Sequence, residues 1–495
     1  MKTVYRKSRS VTTCIVFAML AIVGYVSDSK SAFVQSSRST SATSPAYPVK
    51  VSANGRYLVD QNNAPFLIVG DTPQGLISRL NEKEIDGYFA DRQAHGFNTM
   101  GWVDVLCGGR DFITNIYATT PDGIRPFTGF LPGGSDHTYY DLSKPNEAYF
   151  QRLDHLVSLG AKHNILIFID PIETAGWLMT LRNNGLAAAN AYGQYLGNRY
   201  KKYPNVAWLN GNDFGGWQKE SDDALVRAVA TGIKSADPGH IQTIEFNPPF
   251  GSSLDDPSWA ALISVNGAYV YGPTYIQVLH NYNQTPVMPV FLMEAHYELE
   301  DVGGPPDFGT PSVLRREEYW AMLSGAKGQF YGNMYTWSFK NGWQNNIDTP
   351  GVTQLTIWKD FFTSLPWQDL VPDQDHSVVT AGLGTFGDIK ETRVSKSDYC
   401  TAAHTPDGSL AIAYMPTART ISVDMSKLKR PAAARWFDPS DGAYARIQEQ
   451  PFANSGTRQF TPPGKNHDGD GDWVLVLDAS GTAAATTAGG MSKAE

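Results

Sequence analysis

The sequence predicts an α/β protein, a (β/α)8 TIM barrel followed by a C-terminal all-β sandwich domain. Short apolar runs alternate with helix-like segments over about 270 residues, the length of such a barrel. After about residue 372 the pattern changes to short strand-like runs separated by Gly, Pro and Asp. No Gly-rich dinucleotide-binding fingerprint follows the first run, which disfavours the competing doubly wound open sheet.

Eight apolar runs are the predicted strands of the barrel. Several of them are apolar almost throughout, as expected for parallel strands that are covered on both faces. In chain order they cover residues 65–69, 97–103, 165–171, 206–213, 241–246, 265–271, 290–294 and 330–337.

The segments between these runs have helical composition. The first helix follows Asn81, whose side chain is suited to cap a helix N-terminus. Apolar residues recur at helical spacing in the second, residues 149–163. The predicted helices cover residues 82–95, 149–163, 186–203, 222–236 and 315–326.

The N-terminus has the pattern of an export signal. A basic start at residues 2–9 precedes an uncharged, mostly apolar run at 11–26, and small residues around Lys30 predict cleavage after Ser31. The apolar run of about 16 residues is shorter than the roughly 20 that cross a bilayer. We therefore expect a secreted or periplasmic protein with no membrane span after cleavage.

The chain divides into five predicted parts. These are a signal peptide (1–31), a flexible lead-in (32–48), the barrel (49–371), the β-sandwich domain (372–480) and a disordered tail (481–495). Two cysteines, Cys107 and Cys400, lie in different predicted domains. One interdomain disulfide and two buried free thiols are the alternatives, and the free thiols are favoured.

Composition limits the function classes. The chain has 40 Lys and Arg against 49 Asp and Glu, a net charge of −9, which disfavours nucleic acid as a partner. No CxxC, HExxH or His/Cys cluster occurs, so we expect no metal site. The DGDGD motif at residues 468–472 resembles the start of a calcium loop. Trp473 stands where that loop needs Gly, so a tight polar turn is expected.

Polar residues that close the predicted strands should meet at one site, because the active site of such a barrel lies at the carboxyl ends of its strands. The set is acidic and aromatic, which favours a sugar over a phosphate or a carboxylate as ligand. The predicted substrate-binding residues are Asp71, Trp102, Asp104, Asp170, Asn212, Glu245, Tyr271, His296 and Trp337.

Two carboxylates form the predicted catalytic pair. Asp213 ends the fourth run and Glu294 ends the seventh, so their side chains can enter one cleft from opposite sides. Glycoside hydrolysis needs an acid that protonates the leaving oxygen and a second carboxylate across the sugar ring. Many retaining glycosidases of barrel fold place the acid/base, usually Glu, after strand four and the nucleophile on strand seven. Glu245 is the alternative acid.

Several motifs resemble the apiosidase-like barrel family, glycoside hydrolase family 140. They are PFLIVGDT at 65–72, GFN at 96–98, NGND at 210–213 and MEAHYE at 293–298. RWFDPSDG at 435–442 and DWVL at 472–475 resemble the collagen-binding type of β domain that follows such barrels. The resemblance covers about residues 50–480. It implies that Asp213 is the acid/base, that Glu294 is the nucleophile, and that apiose on plant pectin side chains is the target.

The sequence therefore predicts an exported retaining glycoside hydrolase that needs no cofactor and has carbohydrate as its partner. The alternative is a non-catalytic glycan- or matrix-binding protein on a barrel scaffold, and the presence of both carboxylates favours the enzyme. A protease is suggested only by the collagen-binding label, since the chain has neither HExxH nor a nucleophile-elbow motif.

Overall fold

The computed structural model describes residues 44–107, 118–246, 250–300, 309–391 and 393–481. The predicted signal peptide, most of the predicted lead-in and all but the first residue of the predicted tail lie outside these residues. Within the described ranges, no helix is both long enough and apolar enough to cross a membrane.

A three-stranded antiparallel ribbon precedes the barrel. Its strands are β1 (Lys50–Val51), β2 (Leu58–Val59) and β3 (Pro65–Phe66). Leu58 and Phe66 belong to the same apolar cluster as Phe168 and Phe291 from inside the barrel. The ribbon therefore covers the amino end of the barrel, opposite the end where the site is expected.

Eight parallel strands form the barrel, which confirms the predicted architecture. They are β4 (Ile68–Asp71), β5 (Thr99–Asp104), β6 (Leu166–Asp170), β7 (Val206–Phe214), β8 (Gln242–Phe246), β10 (Asn266–Val270), β11 (Val290–Glu294) and β12 (Gly328–Tyr331), and β9 (Phe250–Ser252) pairs antiparallel with β10. The order in the sheet is β8-β7-β6-β5-β4-β12-β11-β10-β9. The amide of Ser264 donates to the carbonyl of Gln242 (2.8 Å), and this bond links β8 to the chain that enters β10.

Eight helices pack with these strands in the described ranges. They are α1 (Leu76–Arg79), α2 (Glu82–Ala94), α3 (Glu147–Lys162), α4 (Thr174–Tyr200), α5 (Glu220–Ala236), α6 (Thr274–Asn283), α7 (Pro311–Leu323) and α8 (Pro350–Thr363). Asn81 caps α2 as predicted, because its side chain accepts from the amide of Glu84 (3.1 Å) and Glu84 accepts from the amide of Asn81 (2.9 Å).

Three helical features differ from the prediction. Helix α4 begins at Thr174 rather than at Leu186, and it breaks at Gly185, where φ is 79°. Glycine adopts this angle without a Cβ clash, which explains why a break in the pattern falls there. Helices α1, α6 and α8 were not predicted. Helix α1 has only four residues, and α6 and α8 are rich in β-branched, aromatic and Asn residues of low helix propensity.

The C-terminal strands form the predicted sandwich of two antiparallel sheets. One sheet has the order β13-β15-β16-β21-β18-β19 and the other has the order β14-β17-β20. The strands are β13 (Val371–Pro372), β14 (Val379–Ala381), β15 (Thr401–His404), β16 (Leu410–Met415), β17 (Ile421–Asp424), β18 (Ala433–Phe437), β19 (Tyr444–Arg446), β20 (Thr457–Phe460) and β21 (Trp473–Asp478).

Helix α7 of the barrel packs on the larger sheet of this β domain. The ring of Tyr319 stacks on that of Tyr414 with centroids 5.1 Å apart. The indole of Trp320 donates to the carbonyl of Tyr399 at 2.9 Å. The two cysteines, one in each domain, are buried free thiols. The domains are therefore joined by packing and hydrogen bonds around α7.

Candidate active site

Strand β7 is irregular where it carries Asn212 and Asp213. Its register with β8 shifts before Phe214, and Gly211 and Asp213 have φ angles of 70° and 49°. A bulge of this kind re-aims the side chains that follow it, and a positive φ is costly for a residue with a Cβ. Glu245 at the end of β8 holds this backbone, because its carboxylate accepts from the amide of Asp213 at 2.9 Å.

Glu294 is the last residue of β11 and is only 7% exposed. The hydroxyl of Tyr271 donates to one of its carboxylate oxygens at 2.7 Å, and the hydroxyl of Tyr297 donates to the other at 3.4 Å. Burial raises the pKa of Tyr297, and the charge of Glu294 raises it further. Tyr297 therefore stays protonated and able to donate at any pH where the protein would act.

Tyr269 connects the two predicted catalytic carboxylates. Its hydroxyl donates to Asp213 Oδ1 at 3.4 Å, and its ring lies 5.6 Å from that of Tyr271. It is also the register partner of Glu294 between β10 and β11. Burial raises the pKa of Tyr269, and the charges of Glu294, Asp213 and Glu245 raise it further. The charges of three carboxylates therefore act on this one phenol at the carboxyl end of the barrel.

Sequence reasoning missed Tyr269 and Tyr297. Tyr269 lies two residues before Tyr271, and this spacing puts both on the same face of an extended chain, so the alternation could have identified it. Tyr297 follows the end of β11 by three residues, where no periodicity marks it.

Asp104 and Asp170, two of the predicted sugar contacts, lie at the ends of β5 and β6. They are register partners at the ends of adjacent strands, and both are fully buried. Burial raises the pKa of Asp170 well above its usual range, and the charge of Glu173 raises it further. A raised pKa favours the protonated form of Asp170, and this removes the repulsion that two adjacent buried carboxylates would have.

Asn212 precedes Asp213 on β7, forms an isolated bridge with Glu173, and is fully buried. Its carbonyl accepts from the hydroxyl of Thr174 at 2.5 Å. Its side-chain amide has no hydrogen-bond partner among the residues that the structure describes. Buried amides are nearly always hydrogen-bonded, so this one is an exception, and its contact with a sugar stays a prediction.

Two predicted residues on the first two strands are tightly packed. Asp71 forms an ion pair with Arg92 (2.5 Å), accepts from the hydroxyl of Tyr88 (2.5 Å), and is fully buried. Trp102 lies inside the barrel, with its ring edge-on to that of Phe330 at 5.3 Å. Contact of Asp71 and Trp102 with a sugar stays a prediction.

The last two predicted residues border the Glu294 side of the site. His296 Nδ1 lies 2.5 Å from Glu317 Oε1. Trp337 is 7% exposed and packs with Tyr297 and Cys107 in a small apolar cluster. Through these contacts both residues support the surroundings of Glu294, and their contact with substrate is likewise untested.

Among the described residues, the ligand atoms of one group lie close enough together to hold a metal ion. This group consists of Asp91, His95 and Asp348. It lies at the end of α2 and before α8, and it includes none of the predicted site residues.

A family comparison identifies the barrel. Residues 52–369 match the family model described as "Apiosidase-like, catalytic domain". The chain belongs to the apiosidase-like family. In this apiosidase-like chain, residues 387–478 also match a model described as "Putative collagen-binding domain of a collagenase". The comparison with curated proteins found no match.

Solved structures share the fold of this apiosidase-like protein. One described as "Glycoside hydrolase" has a TM-score of 0.72 and 23% identity, over 88% of this chain and 97% of its own. A glycoside hydrolase of family 5 from Bacteroides vulgatus ATCC 8482 also has a TM-score of 0.72, with 22% identity over 87% of this chain and 93% of its own. The likeness extends over most of both chains, so it includes the β domain as well as the barrel.

Proposed function

We propose that this protein is an exported retaining glycoside hydrolase that releases apiose from plant-type polysaccharide side chains. Asp213 is the acid/base and Glu294 is the nucleophile. The observation that supports this proposal most strongly is the arrangement at the carboxyl end of the barrel. There Tyr269 donates to Asp213, and its register partner Glu294 accepts from the neighbouring Tyr271. Membership of the apiosidase-like family supports the hydrolase class and the sugar.

In the first step Glu294 attacks the anomeric carbon of the sugar. The bond from that carbon to the glycosidic oxygen breaks, and Asp213 gives its proton to the departing oxygen. The leaving saccharide departs as an alcohol. A glycosyl ester remains on Glu294.

In the second step Asp213, now ionised, takes a proton from a water molecule. The water oxygen displaces the Glu294 carboxylate from the anomeric carbon. The sugar leaves with its original configuration, and Asp213 is protonated again for the next cycle.

The neighbouring side chains hold the reacting groups in place. Tyr271 and Tyr297 each donate to one oxygen of Glu294, which orients the nucleophile. Glu245 holds the backbone of Asp213 in its left-handed conformation. The buried amide of Asn212 offers a donor and an acceptor to a sugar hydroxyl beside the scissile bond.

The proposal is tested with two substrates, an apiosyl-bearing pectic oligosaccharide and a 4-nitrophenyl apioside. The activity of Asp213→Ala on the oligosaccharide should fall about 10²–10⁴-fold, because this substrate needs a proton on its leaving oxygen. It should fall much less in the first step on the nitrophenyl glycoside, whose leaving group needs no proton. Glu294→Ala should lose both activities. Asp360→Ala, at an exposed aspartate on α8, is the matched control and should keep both.

Azide separates the two roles further. With azide, Asp213→Ala should give a glycosyl azide of retained configuration, and Glu294→Ala should give the inverted one, as read by NMR. Retained activity in Glu294→Ala would show that the nucleophile is wrong. Inversion by the wild-type protein would exclude double displacement.

A second candidate, a glycan- or matrix-binding protein without hydrolysis, is favoured by the match of residues 387–478 to the collagen-binding description. It predicts that the wild-type protein and Glu294→Gln bind collagen or pectic polysaccharide equally, as measured by co-sedimentation, and that neither releases sugar. Release of sugar by the wild-type protein alone would exclude it.

A further inference from the structure

Helix α7 lies between the candidate active site and the β domain. On the barrel side, Glu317 contacts His296 at 2.5 Å, and both side chains are almost fully buried. The backbone of Glu317 is anchored as well, since its carbonyl accepts from the hydroxyl of Thr274 at 2.8 Å. On the other side, Trp320 donates to the carbonyl of Tyr399 in the β domain. The helix is therefore held from both sides.

From His296 the contacts continue to the proposed nucleophile. The imidazole packs edge-on against the ring of Tyr271, with centroids 5.1 Å apart. Tyr271 in turn donates to Glu294 Oε1 at 2.7 Å. A change in the orientation of the imidazole would therefore move the phenol that holds one oxygen of Glu294.

Little space surrounds the pair formed by Glu317 and His296. The adjoining cavity has a volume of about 10 Å³ and is lined in part by Glu318 and Gln329. That volume holds one water molecule at most. The hydrogen bond to Glu317 and the surrounding packing together set the orientation of the ring.

We propose that Glu317 is a positioning residue for the nucleophile, acting on Glu294 through His296 and Tyr271. This inference rests on the proposed function. Glu317 touches no reacting atom, and its effect is to keep the Tyr271 hydroxyl aligned with Glu294. A misaligned catalytic group slows the chemical step, whereas substrate binding depends mainly on other contacts.

The test compares Glu317→Gln with Glu318→Gln. Both substitutions are nearly isosteric, and both replace a buried carboxyl on the same helix. The carboxylate of Glu317 lies 2.5 Å from His296 Nδ1, whereas Glu318 lines the adjoining cavity together with Gln329. With the nitrophenyl apioside, Glu317→Gln should lower kcat about 10–100-fold and change KM by less than about twofold. Glu318→Gln should keep kcat within about twofold of wild type. The melting temperatures of the two variants should be similar.

A double-mutant cycle tests whether Glu317 acts through His296. The kcat of the double variant His296→Gln/Glu317→Gln should be no lower than that of the worse single variant, because both substitutions remove the same contact. Glu317→Asp keeps the carboxyl group and should recover part of kcat, and it also serves as the working variant if Glu317→Gln fails to fold.

Three outcomes would overturn the inference. They are a kcat for Glu317→Gln within twofold of wild type, an equal loss in Glu318→Gln, and fully additive losses in the cycle. Glu294→Gln separates these results from a failure of the proposed function. An active Glu294→Gln would refute the nucleophile itself, whereas an inactive one beside a fully active Glu317→Gln would refute only the positioning role.

Discussion

Two groups of carboxylates in this protein have opposite kinds of partner. In the β domain, Asp468, Asp470 and Asp472 surround the guanidinium of Arg315 from α7, at 3.3, 2.7 and 3.1 Å. At the mouth of the barrel, the carboxylates of Asp213 and Glu294 accept hydrogen bonds from tyrosine hydroxyls. A guanidinium holds carboxylates by charge and by several hydrogen bonds at once, whereas each tyrosine hydroxyl contributes a single hydrogen bond. The first arrangement suits docking of one domain on another, and the second leaves room at the carboxylates for a bound ligand.

The three aspartates around Arg315, here called the docking group, also explain the DGDGD motif. Its residues form the expected polar turn, and the positive charge that a calcium loop would take from an ion is supplied by Arg315. Asn466 donates to Asp472 Oδ1 at 2.7 Å, and Gln354 of α8 donates to Asp468 at 2.9 Å. Carboxylates close together in sequence therefore do not by themselves indicate an ion site.

The largest effect is expected where the docking group is broken. Arg315→Met leaves Asp472, which is 2% exposed, without its buried cation. We expect the free energy of unfolding to fall by about 3–5 kcal/mol, because removing one partner leaves an uncompensated buried charge. Urea denaturation measures the change. Arg446→Met, at an exposed ion pair with Glu449, is the control and should cost less than about 1 kcal/mol. Equal losses of stability in both variants would show that the buried cluster contributes no more than the exposed ion pair.

A buried amine that is held by backbone carbonyls sharpens the comparison. Lys327 donates to the carbonyls of Trp367 and Leu370, and burial lowers its pKa to about 7. The unfolded chain holds this proton up to about pH 10.4, so it binds more protons than the folded protein between these values. The free energy of unfolding should therefore rise with pH across this window, by up to about 1.4 kcal/mol per unit.

Lys327→Met should remove that rise. Denaturation curves from pH 7 to 10 for wild type and variant measure the difference, in which the other titrating groups cancel. Parallel pH dependences for the two proteins would show that Lys327 keeps its charge when folded, as Arg315 does.

The smallest effect is expected for Glu245→Gln at the mouth of the barrel. The amide oxygen can still accept from the amide of Asp213, so a supporting role predicts a loss of kcat of tenfold or less. Stability should stay equal or increase slightly, because one of three neighbouring negative charges is removed. A loss as large as that of Asp213→Ala would instead make Glu245 the acid. The measurement is kcat on the pectic oligosaccharide, with thermal unfolding as the second readout.

The sequence predicted the barrel strands well because their signal is local. A strand covered on both faces is apolar whichever strands flank it, so it can be recognised without knowing its partners. The polar residue that ends it is visible in the sequence as well. The first and eighth strands differed most. The first predicted run, 65–69, is divided between the ribbon strand β3 and the barrel strand β4, which begins at Ile68. The eighth strand ends at Tyr331 and the chain turns after Gly332, whereas the prediction continued to residue 337.

Helix α8 shows why some elements were missed. Its sequence has low helix propensity, but a carboxylate from a distant part of the chain forms hydrogen bonds at its first turn. Glu298 accepts from the amide of Gly351 at 2.9 Å and from the hydroxyl of Thr349 at 2.5 Å. An anion at a helix N-terminus is stabilising, and here it comes from the loop after β11.

The sequence by itself determined the fold class, most of the strand ends and the acidic, aromatic character of the predicted site residues. Only the tertiary structure decided which groups meet. Tyr269 reaches Asp213 across 56 residues, and Arg315 reaches Asp472 across 157. The reason is physical: burial patterns repeat over a few residues and can be read locally. Hydrogen-bond and ion-pair partners are instead set by the closure of the barrel and the docking of the β domain, which bring distant parts of the chain together.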